Sequence, residues 1–393
     1  MWQYAILLII VSFVLFSFYI RLKMPFWRTQ PVFHLYDLHH WVRPCGIIDP
    51  ELPEYNKYVD KAGITTFKTR ELDSEMRARV ASFIRTNYYR QGDGNYLPTS
   101  EDIYEPLASF GIPSLVSVNR SPKIVAVDDA QLSTDYDVSA VITSRPVFIQ
   151  LKGKDAFVAN YVDNLCVDKG KRGKGMAARS IQTLSYDMRR MIPSIKVCLF
   201  KREGDMTGIV PIVTSSAVLY SVDSVPRISH GYSNLRTISV RAKGVHLLRE
   251  LSRQCSTSHD LVVQPDINLL GHLLDTGNLM AYGLYDGQFL ISAYLFRRPN
   301  YRRTSGYVVE CIATMNKCPM DDTFLAGFTS ALRRVVRKTK CTSLLIENLG
   351  SSTLIDSGLK RHGAKQIASC PIAYFFHNYA SYTVRADKCM IVL

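Results

Sequence analysis

The sequence predicts a mixed α/β protein with two similar halves that follow an N-terminal membrane-spanning helix. An uncharged apolar run opens the chain, from Trp2 to Ile20. After it, the order helix, hairpin, strand, helix, strand occurs twice, which predicts two similar layers, each a mixed sheet with helices on its faces. The 393 residues, 47% of them hydrophobic, can bury a core of this size and exclude a disordered protein.

The apolar run is long enough to cross about 30 Å of hydrocarbon as a helix. Arg21 and Lys23 follow it on the C-terminal side, so the positive-inside rule places the rest of the chain in the cytosol. A cleaved signal peptide is the alternative, but the basic n-region and an A-x-A-like cleavage site are missing. We therefore expect residues 1–22 to be the anchor of a single-pass membrane protein.

The first half, residues 23–225, is expected to begin with a helix that buries Met76, Val80, Phe83 and Ile84. The stretch "SLVSVNRSPKIVAV" predicts a strand pair, and a further strand is expected at 147–151. Another strand begins at Asn160. The helix that follows it carries apolar residues at 4-3-4-3 spacing, namely Ala177, Ile181, Leu184, Met188 and Met191.

The second half, residues 226–393, repeats this order after a boundary near Pro226. Its first helix carries Val245, Leu248 and Leu251. In "LMAYGLYDGQFLISAYLF", the Asp-Gly step at 286–287 predicts a hairpin turn. A strand near 307–313 and the strand "SLLIE" enclose a helix with five apolar positions, Phe324, Phe328, Leu332, Val335 and Val336.

Charge and cysteine content narrow the function classes. The 48 basic and 34 acidic residues give a net charge of +14, which suits nucleic acid, an anionic membrane face or a phosphate-rich cofactor. The nine cysteines include no CxxC pair. We expect them to be reduced and structural, and we expect no metal site.

The stretch "NYVDNLCVDKGKRGKGMAARSIQTL", residues 160–184, changes from strand to glycine-rich turn to helix. Residues 172–177 have the form R-x-x-G-x-A, the acyl-CoA pyrophosphate loop of acetyltransferase-like folds. The helix N-terminus favours anions, and glycine lets the backbone approach a phosphate. Five of the eleven residues from Lys169 to Arg179 are basic. A solvated basic turn is the alternative.

The corresponding junction in the second half, "TMNKCPMDDTF", is acidic and has no glycines. We therefore expect one coenzyme A site, in the first half.

Five segments resemble the N-myristoyltransferase family, in the family's order and over nearly the whole chain after the anchor. They are "FWRTQPV" (26–32), "GIIDP" (46–50), "NLCVDKGKRGKGMA" (164–177), "TGIVPIV" (207–213) and "MIVL" (390–393). The resemblance implies two pseudo-symmetric acetyltransferase-like (GNAT) halves: an N-terminal half that binds acyl-CoA and a C-terminal half that binds peptide. It implies transfer of a myristoyl group from myristoyl-CoA to the N-terminal glycine of peptides or nascent proteins. A monomer that binds no nucleic acid is expected.

The resemblance also implies roles for particular residues. Pro25, Phe26 and Trp27 fall where the family touches the coenzyme. The next match is a strand segment whose first two backbone amides form the family's hole for the thioester oxygen: Asn164, Leu165, Cys166 and Val167. Each such donor typically stabilises the developing oxyanion by about 3 kcal/mol. The phosphate turn matches Arg172, Gly173, Lys174, Gly175, Met176 and Ala177.

Cys166 could be read as a nucleophile. Because the family transfers the acyl group directly to an amine, a packed cysteine is the favoured interpretation.

The resemblance implies that the α-carboxylate of Leu393 is the general base, because an amine must lose a proton to attack a thioester. The alternative is that "CMIVL" is only a buried terminal strand. The two interpretations are compatible, since burying the terminal strand would position the carboxylate of Leu393.

Two segments depart from the family pattern: "TSSAVLYSVD" (214–223) and "LIENL", which places Asn348 where a substrate-binding aspartate is expected. Three hypotheses therefore stay open: an N-myristoyltransferase, an acyltransferase of the same fold that uses a shorter acyl-CoA, and a non-catalytic protein that binds acyl-CoA or peptide.

Overall fold

The structure is a computed structural model that describes residues 2–88, 94–128, 131–204, 208–228 and 235–393, without the side chains of 124–128 and 131–134. The helices are α1 Trp2–Lys23, α2 Leu38–Val42, α3 Ser74–Asn87, α4 Ser100–Tyr104, α5 Met176–Met191, α6 Val245–Ser256, α7 Ile267–Asp275, α8 Asp321–Thr339 and α9 Ser352–Arg361. The strands are β1 Gly46–Ile47, β2 Ile64–Lys68, β3 Asn95–Tyr96, β4 Leu115–Asp128, β5 Gln131–Leu151, β6 Phe157–Val167, β7 Cys198–Glu203, β8 Val213–Ser221, β9 Leu235–Val240, β10 Leu261–Gln264, β11 Leu279–Asp286, β12 Phe289–Arg303, β13 Gly306–Asn316, β14 Ser343–Glu347, β15 Gln366–His377, β16 Tyr379–Ala380 and β17 Cys389–Ile391.

The predicted twofold repeat is present in the strand pairing. In the first half, β4, β5 and β6 are antiparallel neighbours, and α5 crosses over to β7, which is parallel to β6. In the second half, β11, β12 and β13 are antiparallel neighbours, and α8 crosses over to β14, which is parallel to β13. The mixed α/β class and the repeated order are confirmed.

The two halves exchange strands at the centre of the sheet. The order there is β7-β15-β8-β14, so β15 of the second half lies between β7 and β8 of the first. Fifteen strands of the described residues form this one sheet. The domain boundary near Pro226 stays a prediction.

The predicted strand pair in "SLVSVNRSPKIVAV" is wrong. One strand, β4, runs through this segment and pairs with β5, which also contains the strand predicted at 147–151. Pro122 suggested a break. It is tolerated because β2 pairs with β4 only as far as Asn119, so Pro122 lies on an open edge where no ladder donor is needed.

The predicted apolar stripes form the core. Leu184 and Met188 of α5 are buried against the sheet, and so are Phe324, Phe328 and Leu332 of α8. The nine cysteines all lie within the described residues and form no disulfide. Seven of them are buried, whereas the side chain of Cys45 is exposed.

Helix α1 is long and apolar enough to cross a membrane, and none of its residues is buried. Its C-terminal end contacts the rest of the protein. The Arg21 guanidinium lies 4.6 Å from the centre of the Tyr36 ring, and the backbone N–H of Gly208 donates to Met24 Sδ at 3.3 Å. The junction between the helix and the α/β body is therefore packed.

Candidate functional site

Strands β6 and β7 separate part of the way along the sheet. They pair over only three positions, 160–162 with 198–200. Beyond this point β7 stays paired with β15, and β6 continues beside β5 to Val167. The separation leaves a wedge between the two strands, which starts after Val162 and Phe200.

A β-bulge lies at this wedge. The pairing of β6 with β5 skips from Cys166 to Asp163, which leaves Asn164 and Leu165 opposite a single residue of β5. Asn164 has a φ of 51°, uncommon for a residue other than glycine, and its Nδ2 donates to Thr143 Oγ1 at 3.1 Å. The bulge turns the backbone of both residues predicted to hold a thioester oxygen.

One of those two amides already has an acceptor. The N–H of Asn164 donates to Asp163 Oδ1 at 2.8 Å. A thioester oxygen at this position would have to replace or share the Asp163 carboxylate. Sequence reasoning did not identify Asp163, although a carboxylate inside an otherwise uncharged strand was a visible signal.

The two residues after the bulge lie beside the rest of the first-half core. Cys166 is buried in the cluster that α3 forms with β4 and β5. Burial raises the pKa of its thiol to about 12, so the thiol stays protonated and is a poor nucleophile. This supports packing as the role of Cys166, while Val167 ends the strand.

The glycine-rich turn leaves the N-terminus of α5 open. Gly173 and Gly175 have φ values of 77° and 73°, and a Cβ built on either would meet no atom within 4 Å. Helix α5 begins at Met176 without a side-chain cap and without an acidic residue in its first turn. The first amides of a helix need an acceptor, and those of Met176 and Ala177 find none in a capping side chain, so they are available to an anion.

The basic residues of the turn have different roles. Arg172 donates to two main-chain oxygens, that of Asn87 at 2.5 Å and that of Val167 at 3.3 Å. Lys171 donates to two serine hydroxyls, and Lys174 is exposed. Arg172 therefore braces the turn, and Lys174 remains in solvent where a phosphate could approach.

The segment from Pro25 to Trp27 lies at the wedge. Trp27 stacks on Phe200 with ring centres 5.6 Å apart, and Phe26 lies edge-on to Trp27 at 5.1 Å. Phe200 is the last residue of β7 that pairs with β6. The aromatic pair is thus part of the packing and also borders the wedge, while Pro25 is exposed.

The last strand, β17, positions Leu393. It runs parallel to β10, and the N–H of Val392 donates to Val263 O at 2.8 Å. The Leu393 oxygen accepts from Arg297 Nη2 at 2.7 Å. Leu393 and Arg297 line a small cavity together with Arg145 and Asn278. The predicted buried terminal strand is present.

Charged side chains connect this cavity with the bulge. Arg145 is 8% exposed, and its guanidinium lies 5.2 Å from the centre of the Tyr161 ring. Burial lowers the pKa of Arg145, and the nearby Asp163 opposes this shift. Burial also acts to lower the pKa of Arg297, but Glu310 and Asp163 raise it above its usual value. Arg145 therefore connects the two regions, because it lines the cavity with Leu393 and lies two residues along β5 from Thr143, the partner of Asp163.

A buried ion pair connects the two halves beside the wedge. Lys201 of β7 donates to Glu347 of β14 at 3.0 Å, and the Tyr374 hydroxyl donates to the other carboxylate oxygen at 2.7 Å. Burial alone would raise the pKa of Glu347, but Lys201 holds it below its usual value. Glu347 in turn raises the pKa of Lys201 well above its usual value, against the effect of burial.

Asn348, which departs from the family pattern, contacts α9 of its own half and β8 of the first half. Its Nδ2 donates to Asp356 Oδ2 at 2.9 Å and to Ser216 Oγ at 3.1 Å. These bonds connect β14 to α9 and β8. They support a structural role for Asn348.

No family model matches this sequence, and no curated protein matches it. Solved structures do match it. Two crystal structures of Saccharomyces cerevisiae N-myristoyltransferase with bound myristoyl-CoA each align with a TM-score of 0.71 and 14% identity over 94% of this chain, covering 94% and 99% of theirs. A structure of the same yeast enzyme with bound myristoyl-CoA and inhibitors aligns with a TM-score of 0.69. This chain therefore has the N-myristoyltransferase fold.

Proposed function

We propose that this protein is an acyltransferase that moves a myristoyl group from myristoyl-CoA to the N-terminal glycine of protein substrates. The observation that carries the proposal is the placement of the Asn164–Leu165 bulge. The bulge follows the point where β6 leaves β7, it precedes the open N-terminus of α5, and its neighbour Asp163 lies near the Leu393 cavity.

The first half would bind the donor. The uncapped amides of α5 and the two left-handed glycines would hold the pyrophosphate, with Lys174 nearby. The rest of the coenzyme would follow the wedge between β6 and β7, bordered by Phe26 and Trp27. The yeast enzyme of the same fold binds myristoyl-CoA in its crystal structures, which supports this class of donor.

The second half would supply the proton acceptor. Arg297 fixes one oxygen of Leu393, and the other oxygen of a terminal carboxylate could accept the proton of a glycine amine. The buried Arg145 lines the same cavity. Positive charge there disfavours the protonated amine, so it would increase the fraction of nucleophilic amine.

The bulge would stabilise the developing oxyanion. The amides of Asn164 and Leu165 are the donors, and Asp163 would have to leave Asn164 as the thioester oxygen arrives. Once displaced, the Asp163 carboxylate would be a second candidate proton acceptor. Replacing Asp163 with Asn keeps the shape and removes the charge, so it distinguishes this carboxylate from that of Leu393.

Helix α1 would hold the enzyme on a membrane, with the α/β body on the cytosolic side where acyl-CoA and newly made proteins meet. The basic residues at its C-terminal end, Arg21 and Lys23, support this orientation.

A non-catalytic protein that binds acyl-CoA is the second candidate. The bond between Asp163 and the Asn164 amide favours it, because this carboxylate occupies a donor that catalysis would need. The two candidates share the donor site and differ in the transfer step.

A single-turnover experiment separates them. The full-length protein in detergent micelles is loaded with myristoyl-CoA and mixed with a glycine-initiated peptide, and the acylated peptide is measured by mass spectrometry. An otherwise identical alanine-initiated peptide is the control. Transfer to the glycine peptide alone supports the proposal, while tight binding of myristoyl-CoA without transfer supports the second candidate. Tighter binding of acetyl-CoA than of myristoyl-CoA would contradict the assignment of a long-chain donor.

A further inference from the structure

Three side chains just after α1 form a chain of contacts that the proposed acyl transfer does not use. His40 Nε2 lies 3.1 Å from Cys45 Sγ, and His40 Nδ1 bonds to Asp37 Oδ2. The edge of Phe33 faces the imidazole, with ring centres 5.6 Å apart. A carboxylate that orients an imidazole, which in turn contacts a thiol, is the arrangement that activates a cysteine nucleophile.

Cys45 is suited to react with a molecule from outside. Its side chain is exposed, whereas seven other cysteines are buried in the core. The buried thiols of Cys166 and Cys198 have pKa values raised by burial. The Cys45 thiol is accessible to a reactant and lies beside an imidazole base, so it can react where the buried cysteines cannot.

This group borders the N-terminal end of β6, whereas the bulge lies towards the C-terminal end of that strand. Strand β1 follows Cys45 directly and pairs with β16, where Tyr379 stacks on Phe157 at 5.0 Å. Phe157 is the first residue of β6, and the bulge at Asn164 lies seven residues further along that strand. At about 3.3 Å per residue, this places the bulge roughly 23 Å from Phe157.

The surroundings of Cys45 are apolar and adjacent to the end of α1. Trp41, Val42 and Ile47 are exposed around it. His34, whose carbonyl accepts from the Asp37 N–H at 3.0 Å, lines a small cavity with Ile20 of α1. A fatty chain attached at Cys45 would lie on this apolar surface, next to the helix that is apolar enough to enter a membrane.

We propose that Cys45 is an S-acylation site that takes a fatty acyl group from a long-chain acyl-CoA. His40 removes the thiol proton, and the sulfur attacks the acyl carbonyl carbon. The new bond joins this carbon to Cys45 Sγ, the bond from this carbon to the coenzyme sulfur breaks, and the proton passes from His40 to the departing coenzyme thiolate. Asp37 is a positioning residue that orients the imidazole. This step is independent of acyl transfer to glycine.

The test uses the full chain in detergent micelles with palmitoyl-CoA, followed by intact mass spectrometry. We expect one palmitoyl adduct that neutral hydroxylamine removes and that is absent in Cys45→Ser. Cys370→Ser, which removes another thiol that is not fully buried, should keep the adduct. An adduct that persists in Cys45→Ser would overturn the proposal, as would the absence of an adduct in the unmodified protein.

The role of His40 is tested by rate. His40→Gln should slow acylation about 100-fold, whereas His39→Gln, a change of the exposed neighbouring histidine, should leave the rate unchanged. Equal rates in the two variants would exclude His40 as the base. Thermal melting of both variants shows whether they are folded, and the alkylation rate of Cys45 by iodoacetamide gives a second measure of thiol activation.

Two further variants separate this proposal from acyl transfer to glycine. Gly175→Asp should keep the Cys45 adduct although it disrupts the donor turn. Cys45→Ser should keep transfer to glycine peptides at the unmodified rate. Loss of the adduct in Gly175→Asp would show that the acyl group comes through the wedge, which contradicts direct attack at Cys45.

Discussion

The two strand-to-helix junctions of the repeat have the same topology and opposite chemistry. Between β6 and α5, Gly173 and Gly175 are left-handed, and the helix begins without a cap or an acid. Between β13 and α8, the helix begins with Asp321 and Asp322. Acidic residues in the first turn stabilise a helix and repel an anion. Neither helix has a side-chain cap, so the acids make the difference: the first, open junction can accept an anion, whereas the two acids of the second, closed junction repel one.

The residues just before α8 reinforce this difference. Asn316 Oδ1 accepts from the N–H of Cys318 at 2.8 Å and from Ser292 Oγ at 2.9 Å. These bonds fasten the second junction to β12. A duplicated unit can thus keep its fold while its junctions differ in charge and backbone conformation, because the fold depends on the sheet and the chemistry of a junction depends on a few residues of the turn.

The largest effect is expected from extending the chain beyond Leu393, which should prevent the proposed proton abstraction and leave the proposed donor binding intact. Two residues, Gly-Ser, added after Leu393 extend the chain by about 3.3 Å each and displace the carboxylate from the amine. The single-turnover rate should fall about 100-fold or more, with myristoyl-CoA affinity unchanged in calorimetry. The same two residues added before α1 are the control, and intact mass verifies the chain end. An extended protein that acylates at the unmodified rate would exclude Leu393 as the base.

The next effect concerns the connection between the halves. Lys201→Met leaves the buried Glu347 without its ammonium partner, which should lower the free energy of unfolding by about 3 kcal/mol. Arg253→Met, in the exposed pair with Glu250, should change it little. Chemical denaturation measures both. If Lys201→Met is as stable as Arg253→Met, the two halves do not depend on this pair.

The same pair gives a pH dependence. The pKa of Glu347 is lowered in the folded state, so its contribution to stability is present above the usual carboxylate pKa of about 4.3 and is lost as pH falls below it. Lys201→Met should therefore flatten the acid limb of the stability curve.

A change at the open junction should weaken donor binding. Gly175→Asp places a carboxylate and a Cβ at a φ of 73° where the pyrophosphate is proposed to bind. We expect myristoyl-CoA affinity to fall about 30-fold or more, equivalent to roughly one lost charge-assisted hydrogen bond. Gly153→Asp is the matched control, because Gly153 has the same φ of 73° and equally open space. Equal affinities for the two variants would remove the assignment of the turn.

The smallest effect is expected at the closed junction. Replacing both Asp321 and Asp322 with Asn removes the acids from the first turn of α8, which should lower the free energy of unfolding by about 0.5 kcal/mol. It should not create a second donor site, because the glycines are still missing. Calorimetry should give one bound myristoyl-CoA per chain, and a stoichiometry of two would show that charge alone distinguishes the junctions.

Sequence periodicity predicted the elements that depend on local pattern. "SLLIE" coincides with β14, the Asp-Gly step lies at the β11–β12 turn, and the stripe from Ala177 to Met191 lies on α5. It missed the long β4–β5 hairpin, because whether Pro122 breaks a strand depends on the neighbour across the sheet. It also missed Arg145 and Arg297, which are isolated charges until the fold brings them to one cavity.

By itself, the sequence determined the helices and strands that follow a local pattern and the left-handed glycines of the turn before α5, because side-chain periodicity and glycine's freedom at positive φ are local properties. The tertiary structure alone decided where β6 leaves β7, which strand of the second half enters the first, and that Arg297, 96 residues before the last residue, holds Leu393. Parallel pairing and the burial of charge join residues that are distant along the chain. Their geometry is set only when the whole sheet forms.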